Sequence, residues 1–498
     1  MDETDCSLFI TGKAGTGKST LLAHFCQNTD KKPIILAPTG VAALNVKGQT
    51  IHSFFNFYVD VTPQKIRDKK SKPRNAKLYK KLRAIIIDEV SMVRADLLDC
   101  IDVFLRMYGP HAMQPFGGVQ MIFIGDLYQL PPVVTTTERE IFNTYYETPY
   151  FFSAQALQKF PLEMIELEKV YRQKDKKFVT LLNKIRNNSV SDADMKILNS
   201  RFGTNDIAPS DGYCITLTTT NQRADEINET HLAALKGKIY HAKADVKGEF
   251  TKEYFPTSTD LQYKIGAQIM MLNNDSGKRW VNGSIGIIEG IGTNDEGMEC
   301  LRVRLQGRMG CVEVTPFTWE VFRFGVEGDT IVSEAAGTFS QYPFRLAWAV
   351  TIHKSQGKTF DHVTIDIGRG AFAAGQIYVA LSRCTSFEGI ILKTPIGKQN
   401  IRTDKRIVAF LGSAPALAPV QDNKIDLIRS AINENSLLDI VYLKGNDEKT
   451  TRTVRPLTLG DENFKGKAFV GMKAFCTLRK EERLFSVDRI LEIRKVGT

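Results

Sequence analysis

Apolar residues cluster in short, nearly continuous runs in the first part of the chain. Residues 7–11, 82–87 and 119–124 are such runs, and glycine or polar residues follow each of them. Strands that are buried on both faces show this pattern, and they belong to parallel sheets. The pattern therefore predicts an α/β fold in which a parallel sheet presents polar side chains at one edge.

The pattern changes twice in the second half of the chain. Residues 285–339 alternate apolar and polar positions between glycine turns, which predicts a small β-barrel or, alternatively, a structural hairpin insertion. Proline and alanine then mark a linker at residues 412–423. Beyond it, a helix at 425–433 and strands at 437–442, 451–457 and 483–490 predict a separate small β-rich domain.

The composition is that of a soluble globular protein with three or more compact units. The chain has 498 residues, too many for one core, and 43% of them are hydrophobic. No apolar stretch is long enough to cross a bilayer, and the first residues carry acids where a signal peptide carries bases. The eight cysteines include no C-x-x-C pair, which argues against a zinc ribbon or a disulfide framework. We expect an intracellular protein, cytoplasmic or in the nucleoid of a bacterium.

The charge is positive and unevenly distributed. A formal net charge of +10 suggests a polyanionic partner, although many soluble proteins are basic without one. Residues 65–83 hold ten Lys or Arg and one acid, Asp68, and they follow an aromatic run at 54–58. Cations neutralise phosphates and aromatic rings stack on unpaired bases, which favours a single-stranded nucleic acid. A solvated loop beside a buried aromatic anchor is the alternative.

A glycine-rich loop follows the first predicted strand. It fits G-x-x-x-x-G-K-[ST] and has a helix after it, a context that a chance glycine-rich turn lacks. In such a loop backbone N–H groups enclose phosphate oxygens, Lys18 reaches the β- and γ-phosphates, and Ser19 offers a hydroxyl to Mg²⁺. The predicted ATP-binding residues here are Gly12, Ala14, Gly15, Thr16, Gly17, Lys18, Ser19 and Thr20.

Acids and an amide follow the next two predicted strands. Asp88 would hold the metal with Ser19, and Glu89 would polarise the attacking water, although a solvated strand end also explains two acids. After the third strand, Gln129 could sense the γ-phosphate, and two prolines stiffen the loop that follows. ATP and Mg²⁺ are therefore the predicted cofactors.

Several motifs together resemble the Pif family of superfamily 1B DNA helicases, which are RecD-like 5′→3′ enzymes. They occur in the family's order over about residues 7–411, and the stretch 96–132 resembles the one that distinguishes this family within superfamily 1. The motifs are APTGVAA at 37–43, TIHSF at 50–54, IDEVSM at 87–92, PFGGVQ at 115–120, VYRQ at 170–173, VNGS at 281–284, AVTIHKSQG at 349–357 and YVALSR at 378–383.

The resemblance implies two RecA-like P-loop NTPase lobes that bind ATP between them, each interrupted by a small insertion. The implied divisions are a RecA-like domain 1A at 1–53 and 84–160, a wedge subdomain 1B at 54–83, a RecA-like domain 2A at 161–284 and 340–411, and an SH3-like domain 2B at 285–339.

By the same resemblance, Arg172 and Arg383 are arginine fingers, and Gln356 and Gly357 face the nucleotide. An arginine directed at the departing γ-phosphate neutralises charge in the transition state and couples lobe closure to hydrolysis. From the sequence alone, each arginine fits a surface charge equally well. The predicted catalytic residues are Lys18, Asp88, Glu89, Gln129, Arg172 and Arg383.

One feature of the family has no counterpart. The glutamine that reads adenine upstream of the phosphate loop is absent from residues 1–7. We expect either a trimmed adenine pocket or a chain that begins within the family's first helix.

The resemblance also implies a track for single-stranded DNA across both lobes. Small hydroxyls and an imidazole bond phosphate oxygens without reading the bases, which suits a motor that steps over any sequence. For His52 and His353, burial with a backbone partner is the common alternative. The predicted DNA-binding residues are Pro38, Thr39, Gly40, His52, Phe54, Pro131, Asn221, Thr351, His353, Lys354 and Ser355.

Residues 424–498 resemble a WYL domain, an accessory module that binds a ligand or nucleic acid. Phe469-Val470-Gly471 stands where the signature triplet is expected. Arg455, Arg483 and Arg489 could form an anion site, or they could be ordinary surface charges.

The resemblance implies an ATP-dependent 5′→3′ DNA helicase that translocates on single-stranded DNA and unwinds duplex or structured DNA in replication, repair, recombination or genome maintenance. Its partners would be single-stranded DNA and ss/ds junctions, with G-quadruplexes and RNA–DNA hybrids as further candidates, and it would act as a monomer on DNA without a membrane. Two rival functions stay open. One is a DNA-stimulated ATPase that translocates or strips proteins without parting strands, and the other is a regulatory protein in which the nucleotide only locks a conformation.

Overall fold

The structure is a computed structural model that describes residues 1–498 except 2–3, 59, 69–72, 74, 135, 159, 174, 204–211, 328–329, 369, 371–372, 414–419, 444–448, 465–466 and 497–498. The chain divides into two compact units, Met1–Ser413 and Ala414–Thr498. Among the described residues, no helix combines the length and the apolar character that crossing a membrane requires.

The elements are numbered in chain order. The helices are α1 (Lys18–Asn28), α2 (Gly40–Asn45), α3 (Ile51–Phe55), α4 (Pro63–Asp68), α5 (Ala76–Tyr79), α6 (Ala95–Tyr108), α7 (Thr136–Tyr145), α8 (Lys176–Arg186), α9 (Asp192–Asn199), α10 (Asn221–Ala234), α11 (Gln376–Leu381), α12 (Lys405–Ser413) and α13 (Val420–Asn433). The strands are β1 (Ser7–Gly12), β2 (Ile34–Ala37), β3 (Gln49–Thr50), β4 (Ala84–Ile87), β5 (Gln120–Ile124), β6 (Leu162–Leu167), β7 (Ile215–Thr218), β8 (Tyr240–Lys243), β9 (Asp245–Gly248), β10 (Asp260–Tyr263), β11 (Gln268–Met271), β12 (Ile285–Thr293), β13 (Glu299–Leu305), β14 (Cys311–Val314), β15 (Phe317–Glu327), β16 (Thr330–Gln341), β17 (Phe344–Leu346), β18 (Ala349–Thr351), β19 (Val363–Asp366), β20 (Ile390–Leu392), β21 (Leu438–Leu443), β22 (Lys449–Phe464), β23 (Lys467–Cys476), β24 (Glu481–Ser486) and β25 (Ile490–Lys495).

A parallel sheet in the order β3-β2-β4-β5-β1-β6 forms the first lobe together with the helices that pack on it. Strands β1, β4 and β5 confirm the strands predicted from the three apolar runs, and every residue in them is buried. Because these strands are parallel, their carboxyl ends meet at one edge. Gly12, Asp88 and Gly125 therefore lie at the same edge of the sheet.

A second parallel sheet, in the order β18-β7-β19-β20, forms the second lobe. Helix α8 belongs to this lobe, because Phe178, Leu182 and Ile185 pack in one core with Leu217 and Ile365 of the sheet. Two parallel sheets covered by helices confirm the α/β class predicted from the apolar runs.

Antiparallel strands interrupt the second lobe. They form sheets in the orders β14-β13-β12-β11-β17, β15-β16-β9 and β10-β8. The pairing therefore extends beyond the predicted limits of 285 and 339, since β11 joins β17 through Ile269 and Leu346. The alternation of apolar and polar positions within the insertion cannot reveal strand partners that lie outside it. The SH3-like assignment stays a prediction.

The second compact unit is a sheet in the order β24-β23-β22-β21-β25 with α13 packed on it. The predicted linker is partly helical: residues 412–413 end α12 and residues 420–423 begin α13, while 414–419 lie outside the described residues.

Candidate active site

The phosphate loop closes on itself around the Lys18 ammonium. Lys18 Nζ donates to the carbonyl oxygens of Gly12 at 2.7 Å and Lys13 at 3.1 Å. Gly17, at φ +89°, precedes the first turn of α1, a backbone angle that glycine adopts without strain. Burial lowers the pKa of Lys18, and the carboxylates of Asp126 and Glu89 oppose that shift. The loop thus places a cation at the N-terminus of a helix, an arrangement that suits phosphate binding.

The predicted acids stand beside this loop. Asp88 and Glu89 directly follow β4, and Glu89 adopts a left-handed backbone at φ +51°. Burial raises the pKa of Asp88. Burial raises the pKa of Glu89 as well, with the Asp88 charge as the second cause. Two crowded carboxyl groups offer the oxygen donors that a hard cation such as Mg²⁺ prefers, and Ser19 of the phosphate loop is exposed.

Both predicted arginine fingers reach this edge of the first lobe. A Cβ atom built on Gly15 would lie 2.5 Å from Arg172 Cβ, so Arg172 touches the phosphate loop. Arg172 Nη1 donates to the carbonyl oxygen of Ser382 at 3.2 Å, one residue before Arg383. Arg383 is 1% exposed. Burial and the Arg172 charge lower the pKa of Arg383 to about 9, while Glu89 opposes that shift.

The two lobes also meet through an amide chain. Gln356 Nε2 of the second lobe donates to Gln129 Oε1 of the first at 3.4 Å, and Gln129 Nε2 donates to Asp126 Oδ2 at 3.2 Å. Ala14 N of the phosphate loop donates to the Tyr378 hydroxyl of the second lobe at 3.1 Å. Groups of both lobes that are predicted to face the nucleotide therefore lie in one cleft.

Three residues of this cleft are not among the predicted site residues. Tyr378 belongs to a recognised motif but received no role, and Asp126 precedes Gln129 in the same loop. Arg186, at the end of α8, pairs with Asp126 at 3.4 Å. A basic residue in the last turn of a helix ordinarily stabilises the helix dipole, so no local signal distinguishes Arg186.

The predicted DNA-binding residues of the first lobe lie just before or within α2 and α3, except Pro131, which follows β5. Thr39 is exposed and its hydroxyl caps α2 by accepting from Ala42 N at 3.3 Å. His52 is half-buried, and burial lowers its pKa. Gly40 is covered, because a Cβ atom on it would lie 2.3 Å from the carbonyl oxygen of Glu253. Pro38 and Pro131 are half-buried.

The predicted DNA-binding residues of the second lobe differ in exposure. Asn221 and Lys354 are exposed, whereas burial lowers the pKa of the half-buried His353. Thr351 and Ser355 are buried, and both hydroxyls are engaged locally. Thr351 Oγ1 accepts from Lys354 N at 3.2 Å, and Ser355 Oγ donates to the carbonyl oxygen of Ile352 at 2.7 Å.

Phe54 is packed among aromatic rings. Its side chain is 6% exposed and packs on Phe55, Tyr79 and Phe324, with ring centroids 4.9, 5.6 and 6.1 Å away. This packing favours the buried aromatic anchor, the alternative for this run, while its DNA contact stays a prediction. In the basic run that follows, residues 69–72 and 74 lie outside the described residues, and Lys65 pairs with Asp60.

Known proteins resemble this chain in sequence and fold. The PIF1-like helicase family model matches residues 1–196. The chain is 32% identical over 421 residues to ATP-dependent DNA helicase Pif1 of Bdellovibrio bacteriovorus, covering 81% of this chain and 88% of that protein. This chain belongs to the Pif1 helicase family. It is also 34% identical to ATP-dependent DNA helicase PIF1 of Mus musculus over 81% of this chain, but it spans only 60% of the mouse protein.

Solved Pif1 structures match the architecture. Unliganded Pif1 from Bacteroides sp is 35% identical, with a TM-score of 0.75, covering 84% of this chain and 95% of that chain. Bacteroides Pif1 in complex with ADP-AlF3 and ssDNA matches over the same shares with a TM-score of 0.60. The two parallel sheets of this Pif1-family chain are thus RecA-like lobes. A WYL domain model matches residues 423–495, which confirms the resemblance of the C-terminal unit.

Proposed function

We propose that this chain is an ATP-dependent DNA helicase that translocates 5′→3′ along single-stranded DNA and unwinds duplex or structured DNA. One observation carries the proposal: Lys18 and Glu89 of the first lobe share a cleft with Arg383 of the second, close enough that Glu89 and Arg383 shift each other's pKa. Opening or closing this cleft changes the charge around a bound triphosphate, which couples hydrolysis to lobe movement.

Each group in the cleft has a chemical task in this proposal. Lys18 would exchange the carbonyl oxygens of Gly12 and Lys13 for the β- and γ-phosphates, and Glu89 would accept a proton from the attacking water. Ser19 and Asp88 would hold Mg²⁺, which supplies charge neutralisation at the phosphates when bound. Arg172 and Arg383 would stabilise the charge that develops on the departing phosphate.

Single-stranded DNA as the track rests on the family and on this chain's surface. The Bacteroides Pif1 complex described above contains ssDNA, and another solved Pif1 structure concerns DNA unwinding at forked dsDNA. The exposed Thr39, Asn221 and Lys354 offer phosphate contacts without base preference. The same proposal includes action as a monomer and an intracellular location. It also includes use of G-quadruplexes or RNA–DNA hybrids and a role in replication, repair or recombination.

Strand separation tests the proposal directly. ATP-dependent unwinding of duplexes with a 5′ tail, and none of duplexes with a 3′ tail, is the expected result. Lys18→Ala should abolish ATP hydrolysis and unwinding while strand binding persists. Lys398→Ala serves as the control, because Lys398 is exposed and pairs with Asp192 at 2.8 Å, away from the cleft. ATP hydrolysis without unwinding of either duplex would favour a translocase that does not part strands.

A second candidate function belongs to the C-terminal unit. Tyr442, Thr450, Arg452, Arg483, Leu484 and Phe485 line a cavity of about 280 Å³. Arg452 is 8% exposed, and its Nη1 has no hydrogen-bond partner among the described residues. Of the predicted anion-binding arginines, Arg483 lines the cavity, whereas Arg455 and Arg489 are exposed and are not among its lining residues. A buried guanidinium nitrogen without a partner beside a second arginine favours a small anionic ligand.

Ligand-dependent stability tests this second function. Inorganic phosphate should raise the unfolding temperature of the C-terminal unit by mass action. Arg452→Gln should remove that effect, while Arg455→Gln, which changes an exposed arginine on the same strand, should retain it. An equal response to phosphate in all three proteins would contradict the assignment.

A further inference from the structure

Arg186 is a buried cation in the cleft that the proposed chemistry does not use. It is 6% exposed, at the end of α8. Its Nη2 donates to Asp126 Oδ1 at 3.4 Å, and its guanidinium carbon lies 3.9 Å from the centroid of the Tyr128 ring. Its Nε has no partner among the described residues. Arg186 thus crosses from the second lobe to a loop of the first.

Neighbouring groups offset the cost of burying Arg186. Asp126 is buried and lies 3.4 Å away, and Glu166, with a side chain 46% exposed, lies 3.8 Å away. Burial lowers the pKa of Arg186, but Asp126, Tyr378, Tyr128 and Glu166 together raise it by more. Removing an ion pair from water commonly costs as much as the pairing returns. Apolar packing could join the two lobes equally well. Arg186 instead places its Nη2 on Asp126 and leaves its Nε without a partner among the described residues, which favours a role in function.

Asp126 connects Arg186 to the γ-phosphate sensor. Its Oδ1 accepts from Arg186 Nη2 at 3.4 Å and from Tyr128 N at 3.2 Å, and its Oδ2 accepts from Gln129 Nε2 at 3.2 Å. Gln129 Oε1 then accepts from Gln356 Nε2 of the second lobe. With Asp126 held on both oxygens, the Gln129 amide has its orientation set from both sides. Rotation of Asp126 would release that amide.

We propose that Arg186 is a positioning residue for ATP hydrolysis: it fixes Asp126, and through it the Gln129 amide, when the two lobes approach. The inference rests on the proposed ATPase function. Because Arg186 belongs to the second lobe and Asp126 to the first, separation of the lobes would break the pair. Closure of the lobes therefore orients Gln129 at the same time as it brings Arg172 and Arg383 to the cleft.

Steady-state ATPase kinetics with single-stranded DNA test the role. Arg186→Gln should lower kcat by about 10- to 100-fold, as misplacement of a reacting group does, while KM for ATP changes less than about twofold. Arg186→Lys, which retains the charge but not the planar group over Tyr128, should give an intermediate kcat. Lys184→Gln is the matched control, since Lys184 lies on the same helix and pairs only within the second lobe, with Asp194 at 2.8 Å.

A double variant separates positioning from general damage. If Arg186 acts through Gln129, Arg186→Gln combined with Gln129→Ala should have the kcat of Gln129→Ala alone. Losses that multiply, a raised KM with unchanged kcat, or wild-type kcat in Arg186→Gln would each overturn the inference. If Arg186→Gln does not fold, as judged by thermal unfolding, a wild-type kcat in the folded Arg186→Lys protein overturns it.

The same assay distinguishes this inference from the proposed function. Wild-type protein that does not hydrolyse ATP, or hydrolysis that survives Lys18→Ala, contradicts the ATPase assignment. Normal hydrolysis in wild type, its loss in Lys18→Ala and no effect at Arg186 contradict only the positioning role.

Discussion

Several ionisable groups in the cleft lower the stability of the fold when they are charged. Lys18 and Arg383 are cations whose pKa values burial lowers, and Glu89 is an acid whose pKa burial raises. Each shift means that the charged form is disfavoured where the group stands. Groups with shifted pKa values cluster at sites where their charge is needed for chemistry. The shifts in this cleft are therefore typical of a catalytic centre.

Glu89→Gln should lower ATP hydrolysis by about 100-fold or more, since it removes the base that accepts a proton from water. It should also stabilise the protein at high pH. The pKa of Glu89 in the fold lies above that of an unfolded chain, about 4.3, so its ionisation lowers stability as the pH rises through the folded value. Unfolding temperatures at pH 5 and pH 8 should show a larger advantage of Glu89→Gln at pH 8. A constant difference, or wild-type hydrolysis, would contradict this account.

At the scale of elements, loops at the carboxyl ends of parallel strands bring distant segments together. The phosphate loop after β1 touches Arg172, and the turn Lys252–Tyr254 packs against the start of α2. These contacts depend on residues without side chains, at Gly15 and Gly40. The glycines in the loops therefore serve close packing as well as phosphate binding.

Gly15→Ala should weaken ATP hydrolysis for two reasons. Gly15 has φ +82°, which costs alanine about 1–2 kcal/mol, and the new Cβ would lie 2.5 Å from Arg172 Cβ. We expect a higher KM for ATP and a lower kcat, because the loop and the arginine cannot keep their positions together. Gly297→Ala is the control: Gly297 has φ +78° but no atom within 4 Å of the added carbon. Equal kinetics in the two variants would show that the Arg172 contact is unimportant.

Tyr254→Phe should loosen the contact between this turn and the first lobe. The Tyr254 hydroxyl accepts from Thr50 N at 3.2 Å and shares a hydrogen bond with Thr50 Oγ1 at 3.0 Å. Leaving buried groups of Thr50 unpaired should lower the free energy of unfolding by about 1–3 kcal/mol. Denaturant titration measures the change. Tyr58→Phe, at a tyrosine that is 73% exposed, should change it by less than about 0.5 kcal/mol.

At the scale of the whole molecule, the predicted ATP-site residues all lie in the unit Met1–Ser413, and the WYL domain has its own core. Ile428 and Ile440 belong to that second core and are fully buried in it. Units with separate cores unfold as separate cooperative transitions unless they are tightly coupled. Damage to one core should therefore leave chemistry in the other unit intact.

Ile440→Ala should destabilise the C-terminal unit by about 2–5 kcal/mol through the cavity that it leaves. Differential scanning calorimetry of the full chain should show one transition shifted to a lower temperature, while DNA-independent ATP hydrolysis stays at the wild-type level. Leu478→Ala, at a leucine that is 70% exposed, should shift neither transition. Loss of hydrolysis in Ile440→Ala would show that the catalytic unit depends on the WYL domain.

The local sequence pattern was sufficient to predict an element or a motif wherever its residues are contiguous. Apolar runs located β1, β4 and β5, and the loop from Gly12 to Ser19 identified phosphate chemistry, because a short segment by itself sets the strand, the turn and the helix N-terminus. The family motifs extended this to the two-lobed fold and to Arg172 and Arg383, whose neighbouring residues carry no chemical signal of their own.

Tertiary structure alone decided which distant residues meet. Arg186 and Asp126 are separated by 60 positions, and Thr50 and Tyr254 by 204, so neither pairing has a local signature. Phe54 is predicted to lie on the DNA track, and chain topology surrounds it with Tyr79 and Phe324. Side-chain chemistry limits what a residue can do, whereas burial and partners, which arise when the sheets and insertions pack, determine what it does.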